Sequence, residues 1–212
     1  MKRVRVWPIV CFAAVSFILA AYLALLASNA YYLGFSDALV FTTQSRLWLR
    51  VGLTLYTSAV ATLLSLLIGI PVGYALSRLP LPCPKLSTTL IDLPVMVPPA
   101  TVGVFLFGLT GFLGLNFAHS TAGVILVQFA VTFAFCARLM KASFDGVNPR
   151  FEDVSRSLGH SLPKTVGKIT LPLAKKGILA SSIVVWARAA AEWEGLMLFV
   201  GGTMGKTDVL PF

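Results

Sequence analysis

Apolar residues fall in five long runs, at residues 7–28, 51–77, 89–113, 121–142 and 177–200, separated by shorter polar stretches. Each run is close to the ~20 residues a helix needs to cross a bilayer. The runs are continuous, whereas membrane-spanning strands alternate apolar and polar positions. The pattern predicts an all-α, polytopic bundle of membrane helices. The first run follows Lys2, Arg3 and Arg5 and has the look of a signal peptide, with Ser28-Asn29-Ala30 as a weak cleavage site. It exceeds the apolar region of about 7–15 residues found in such peptides, so an uncleaved span is expected.

Two runs carry helix-breaking residues. The second contains Gly69-Ile70-Pro71-Val72-Gly73. Its GxxxG spacing either admits a second helix at close range or holds ordinary membrane-helix glycines, and Pro71 removes one backbone hydrogen bond. The third contains Leu93-Pro94-Val95-Met96-Val97-Pro98-Pro99, and three prolines in six residues exclude an undisturbed helix. Irregular backbone at membrane depth is tolerated where it is buried in protein or lines a wet cavity. The stretch therefore reads as part of a transport pathway, or else as an interfacial turn entering the span. In the fifth run Arg188 and Glu192 stand four residues apart and can pair. Charges inside a span face a bundle interior or cavity. A functional role and a structural salt bridge both fit, while Glu194 falls nearer the membrane surface and is expected in solvent.

Residues 143–176 form the long polar segment and read as two short helices. Asn148 can cap the first, with Pro149 at its first position. Phe151, Val154 and Leu158 then share one face, and Gly159 is expected in a left-handed stop. Leu162, Val166 and Ile169 repeat the spacing in a second helix that Pro172 should end. Such apolar stripes need cover, from the protein's own helix ends or from a partner.

Composition narrows the class. Of 212 residues 57% are hydrophobic and 12% charged, half the ~25% charge of a soluble domain, which excludes disorder and argues against a soluble enzyme. The net charge of +9 would suggest nucleic acid in a soluble chain. Here it follows the positive-inside bias instead, and no nucleic-acid partner is expected. With the N-terminus in the cytoplasm, thirteen of the 17 basic residues lie on inner segments, Arg46, Arg50 and Lys206 lie outside, and Arg188 lies within a span. Cys11, Cys83 and Cys136 are scattered, and His119 and His160 are isolated, so neither a disulfide framework nor a metal site is expected. The stretch 201–207 ends in Gly-Lys-Thr, but a phosphate-binding loop needs glycine where Val200 stands.

The spacing Gly159, Ile169, Leu171, Pro172 resembles the EAA signature of ABC importer permeases, whose glycine-to-proline half is intact here. The EAA positions read Asp153, Val154 and Ser155, with Glu152 just before. Leu93 to Pro99 is similar to the LPLVLPP stretch of the molybdate-type members, and Ala187-Arg188-Ala189-Ala190-Ala191-Glu192-Trp193-Glu194-Gly195 is similar to their AR-x-LGEFGA stretch. Ala191 and Glu194 replace two glycines and Trp193 replaces a phenylalanine. The likeness spans about residues 45–211.

The resemblance implies a type I ABC importer permease-like bundle in the cell inner membrane, with residues 1–50 as an N-terminal span and outer loop and 51–212 as the permease core. Members usually have a sixth span, which is not visible here. It implies that Glu152, Asp153, Gly159, Ile169, Leu171 and Pro172 couple to an ATPase, and that Pro94, Pro98, Pro99, Thr101, Arg188 and Glu192 belong to a translocation pathway. Hydroxyls and free backbone N–H groups near Pro94, Pro98, Pro99 and Thr101 are candidates for a weak lining. The implied partners are a second permease copy in a homodimer, a cytoplasmic ATPase dimer that hydrolyses the ATP, and an extracytoplasmic substrate-binding protein. No cofactor is implied. The implied cargo is molybdate or tungstate, with sulfate or another anion as the alternative. A reading from another class, an integral membrane enzyme or assembly factor, would need clustered acid, base or metal ligands within the spans.

Overall fold

The computed structural model describes residues 6–33, 45–79, 84–115, 117–201 and 209. Contacts divide the chain into two units, residues 1–48 and 49–212. The first contains helix α1 (Val6–Leu33), whose side chains from Phe12 to Leu25 are exposed and, Ser16 apart, largely apolar.

The second unit is built around long helices. Helix α2 (Ser45–Arg78) runs through Pro71 without ending. Helices α3 (Pro84–Met96) and α4 (Pro99–Phe112) form one apolar run bent by 95°. The cause is local. A residue before proline is driven out of the helical region, and two consecutive prolines do this twice. Pro98 is extended (φ −57°, ψ 136°) and Pro99 opens α4, where its missing N–H costs nothing.

Helix α5 (Thr121–Asp145) is the central post. Ser120 caps its start: the hydroxyl oxygen accepts the Gly123 N–H at 3.0 Å, an arrangement worth about 1 kcal/mol. Two apolar clusters sit along α5. One gathers Val124 and Val127 with Leu196, Phe199 and Val200, and the other Cys136, Met140 and Phe144 with Ala174 and Val185. Between them lies a polar layer, in which Gln128 donates to the Ala189 carbonyl (3.1 Å) and the Thr132 and Ser65 hydroxyls meet at 3.0 Å.

Gly69 and Gly73 are the close approach that the GxxxG spacing allowed. A Cβ on Gly69 would lie 2.6 Å from Cys136 Sγ, and one on Gly73 would lie 2.5 Å from Met140 Cβ. Both contacts fall on α5, one turn apart, so the missing side chains set the distance between α2 and α5.

The loop departs from expectation in two places. Helix α6 (Arg150–Ser157) starts one residue late, with Pro149 at the cap, although Asn148 Oδ1 still accepts the Arg150 N–H at 3.0 Å. Gly159 is left-handed as expected (φ 85°). Pro172, however, does not end the second helix. Helix α7 (Leu162–Thr165) passes through a π turn (Val166–Thr170) directly into α8 (Leu171–Ala190). The π turn bonds the Leu171 N–H to the Val166 carbonyl, five residues back, and brings Pro172 into the first turn of α8, where proline is tolerated.

The expected fifth span is also broken. Helix α8 stops at Ala190, and after residues 191–193 the short helix α9 (Glu194–Phe199) begins. Among the described residues, three helices are long and apolar enough to cross a membrane, Leu47–Arg78, Thr121–Asp145 and Leu162–Ala190, with the bent α3–α4 pair as a fourth candidate.

Candidate translocation and coupling sites

The two broken spans meet each other. Gly195, in the first turn of α9, lies so close to α4 that a Cβ on it would stand 2.9 Å from the Pro99 carbonyl, and one on Gly103 would stand 2.5 Å from the Gly195 carbonyl. Glu192 sits in the break between α8 and α9 and is 1% exposed. Its Oε2 accepts from Arg188 Nη1 at 2.6 Å and its Oε1 from the Gly195 N–H at 2.9 Å. The expected i, i+4 pair therefore forms although α8 has already ended. The carboxylate also holds the start of α9, where a negative charge suits the helix dipole. The Arg188 side chain is 36% exposed, so the pair runs from the interior towards the surface of this chain. Glu194 is exposed on this chain.

Among the expected pathway residues, Pro99, Arg188 and Glu192 are thus brought together around Gly195. Pro94 and Pro98 are exposed on the other side of the bend, and Thr101 is half-buried. The N–H of Thr101 itself is not free but bonds to the Pro98 carbonyl at 2.9 Å, in the first turn of α4. Gln128 was not singled out by sequence. It is buried beside Ala189, and its Oε1 has no hydrogen-bond partner among the described residues. An uncharged polar residue within a long apolar run was the available signal.

A second polar region lies at the loop end. A hollow of about 250 Å³ is lined by Thr88, Asp92, Arg138, Lys141 and Asp145, among others. Its charges are matched: Arg138 meets Asp92 at 3.3 Å and Lys141 meets Asp145 at 2.6 Å. Among the described residues no group of three or more His, Cys, Asp or Glu could hold a metal ion.

The residues expected to couple divide by face. Phe151, Asp153 and Val154 on α6 and Leu158 at its end are exposed, so among the described residues the protein's own helix ends do not cover the apolar stripe. Glu152 turns inward. Its Oε1 accepts from Arg78 Nε at 2.8 Å and its Oε2 from the Tyr74 hydroxyl at 2.9 Å. Ile169 lies half-buried in the π turn, Leu171 packs against the Met140–Phe144 cluster, and Pro172 is exposed. Arg78 and Tyr74 escaped the sequence reading because a basic residue ending a span is already explained by the charge bias. His160 lies 3.1 Å from the Ser155 hydroxyl.

Membrane-length helices, two proline- or turn-broken spans packed on each other and an exposed amphipathic helix between spans define a transporter membrane subunit. The chain belongs to the family of binding-protein-dependent transport system inner membrane components, whose model matches residues 65–211. It is 31% identical to the molybdenum transport system permease protein ModB of Escherichia coli K12 over 175 residues, covering 77% of this chain and 76% of that one. It is 29% identical over 197 residues to the molybdate/tungstate transport system permease protein WtpB of Thermococcus kodakarensis, covering 92% and 78%. A chain of the inward-facing MetNI methionine ABC transporter superposes with a TM-score of 0.65 at 18% identity, covering 77% of this chain and 80% of that one. The fold is that of a type I ABC importer permease.

Proposed function

We propose that this chain is the permease subunit of an ATP-driven importer for a tetrahedral oxyanion, molybdate or tungstate. The observation that carries the cargo is the similarity to permeases named for molybdenum and for molybdate/tungstate, over three quarters or more of this chain. The packed breaks at Pro99 and Gly195, with Glu192 and its partner Arg188 beside Gly195, are the candidate pathway wall. The unsatisfied Gln128 Oε1 adds a polar group at the same depth.

In this reading the N-terminus is cytoplasmic, two copies enclose the pathway, and a substrate-binding protein delivers the anion from outside. A separate ATPase pair docks on the exposed face of α6 and hydrolyses the ATP. Asp153 and the stripe of Phe151, Val154 and Leu158 meet the ATPase, while Gly159, Ile169, Leu171 and Pro172 shape the return into α8. The test is uptake by vesicles carrying this permease with its ATPase and binding protein. ATP-dependent molybdate or tungstate uptake is expected. Uptake of sulfate in preference to both would move the cargo, and no ATP-dependent anion uptake would reject the reading.

A further inference from the structure

The side chain most tightly engaged at the loop is Arg78, to which the EAA resemblance assigns nothing. Arg78 and Glu152 are each 9% exposed and joined at 2.8 Å. The same guanidinium sends Nη2 to the Phe144 carbonyl at 2.8 Å and to the Val147 carbonyl. The Phe144 carbonyl lies in the last turn of α5 and that of Val147 two residues past its end, where a cation is favoured. Tyr74 closes the arrangement. Its hydroxyl holds the second Glu152 oxygen, and its ring packs edge-to-face on Phe144 with centroids 5.5 Å apart. One cation thus ties three elements: the last turn of α2, the end of α5 and the first turn of α6.

On its N-terminal side α6 joins α5 through residues 146–149, beside the clamp, whereas the covalent route onward from α6 into α8 is built differently. It runs through α7 and the π turn, where the buried Thr170 hydroxyl has no hydrogen-bond partner among the described residues, to Pro172, which contributes no N–H. A π turn with a proline behind it has fewer and less regular hydrogen bonds than an α-helix. It is the compliant connection, and the Arg78 clamp is the stiff one.

We propose that Arg78 is a positioning residue for energy coupling. Acting through Glu152, it makes α6 a rigid extension of α2 and α5, so that a displacement imposed on α6 enters the bundle at the ends of those two helices rather than along α8. Glu152 then works inside its own chain, and the ATPase meets the opposite face of α6. The inference rests on α6 being the ATPase-docking helix.

The test measures anion uptake and ATP hydrolysis in the same vesicles bearing the full transporter. Arg78→Gln is expected to leave the KM for ATP, a property of the other chain, where it was. It should lower anion transported per ATP several-fold. Glu152→Gln should lower the same ratio, and the double variant should be no worse than either single one. Arg78→Lys, which keeps the charge but not the fork, should recover part of the loss. Tyr74→Phe removes one hydrogen bond at unchanged shape, and should still lower the ratio even if the Arg78 variants assemble poorly. Uptake and hydrolysis falling in parallel would overturn the inference and make the clamp merely structural, as would independent, multiplying losses in the double variant. A wild-type chain that couples, with Tyr74→Phe and Arg78→Gln coupling equally well, would overturn it while leaving the transport reading intact. A wild-type chain that recruits no ATPase would reject both.

Discussion

Glu192 is a carboxylate with 1% of its surface exposed, in the midst of an apolar bundle. A charge in such a place is retained only when it is paired and its remaining lone pairs are met. Arg188 supplies the pairing, and the Gly195 N–H supplies a further donor. Removing the arginine alone strands the carboxylate, for which about 3–5 kcal/mol is typical. Arg188→Ala should therefore lower the thermal stability of the detergent-purified chain, and Arg188→Ala with Glu192→Gln should recover a large part of the loss. Equal melting of the two variants would show that the stranded charge is not the cause. Arg188 also has little positive charge to offer an anion, because Glu192 lies against it. Its loss should reduce transport through packing more than through affinity for the oxyanion.

At the scale of elements, glycines decide two geometries for different reasons. Gly73 is required by space: a Cβ there would lie 2.5 Å from Met140 Cβ and 2.7 Å from the Lys141 nitrogen. Gly73→Ala must push α2 off α5, and overpacking of this kind costs about 1–3 kcal/mol. Gly52 on the same helix meets nothing within 4 Å, so Gly52→Ala serves as the control and should be neutral or stabilising. Thermal unfolding of the two variants side by side checks the pair. Gly159 is required by conformation, with φ at 85° and open space around it. Gly159→Val would force a β-branched residue into the left-handed region, at about 1–2 kcal/mol. The strain falls on the turn after α6, outside the membrane-length helices. Membrane insertion should survive while recruitment of the ATPase is lost, which co-purification reads directly. Wild-type recruitment would remove Gly159 from the coupling machinery.

For the whole molecule, the balance of charge predicts weak handling of the cargo. A dianion loses hydration on entering a low-dielectric path, which is costly unless fixed positive charge replaces the water. In this chain the candidate cations are already matched, Arg188 by Glu192, Arg138 by Asp92 and Lys141 by Asp145. The purified permease by itself should show no measurable molybdate affinity in calorimetry. Submicromolar binding abolished by Arg188→Ala would make Arg188 a true ligand and overturn this view.

Much of this architecture follows from one-dimensional pattern. The length and continuity of the apolar runs predict membrane helices because a bilayer imposes both. The bend at Pro98-Pro99 follows from a steric rule that acts on neighbouring residues, and the left-handed turn at Gly159 follows from the helix that precedes it. What the pattern could not supply are the meetings between distant segments. The break at residues 191–193, the seat of Pro99 against Gly195 and the polar layer at Gln128 depend on which backbones come within van der Waals contact, and no periodicity encodes that. Pro172 reads as a stop by local rules, yet the packing of α8 against α5 carries the helix through it by way of a π turn. Arg78 and Glu152 stand 74 positions apart. Either alone reads as an ordinary charge near a membrane surface, and only the folded chain, by burying both at the junction of three helices, makes them a single unit.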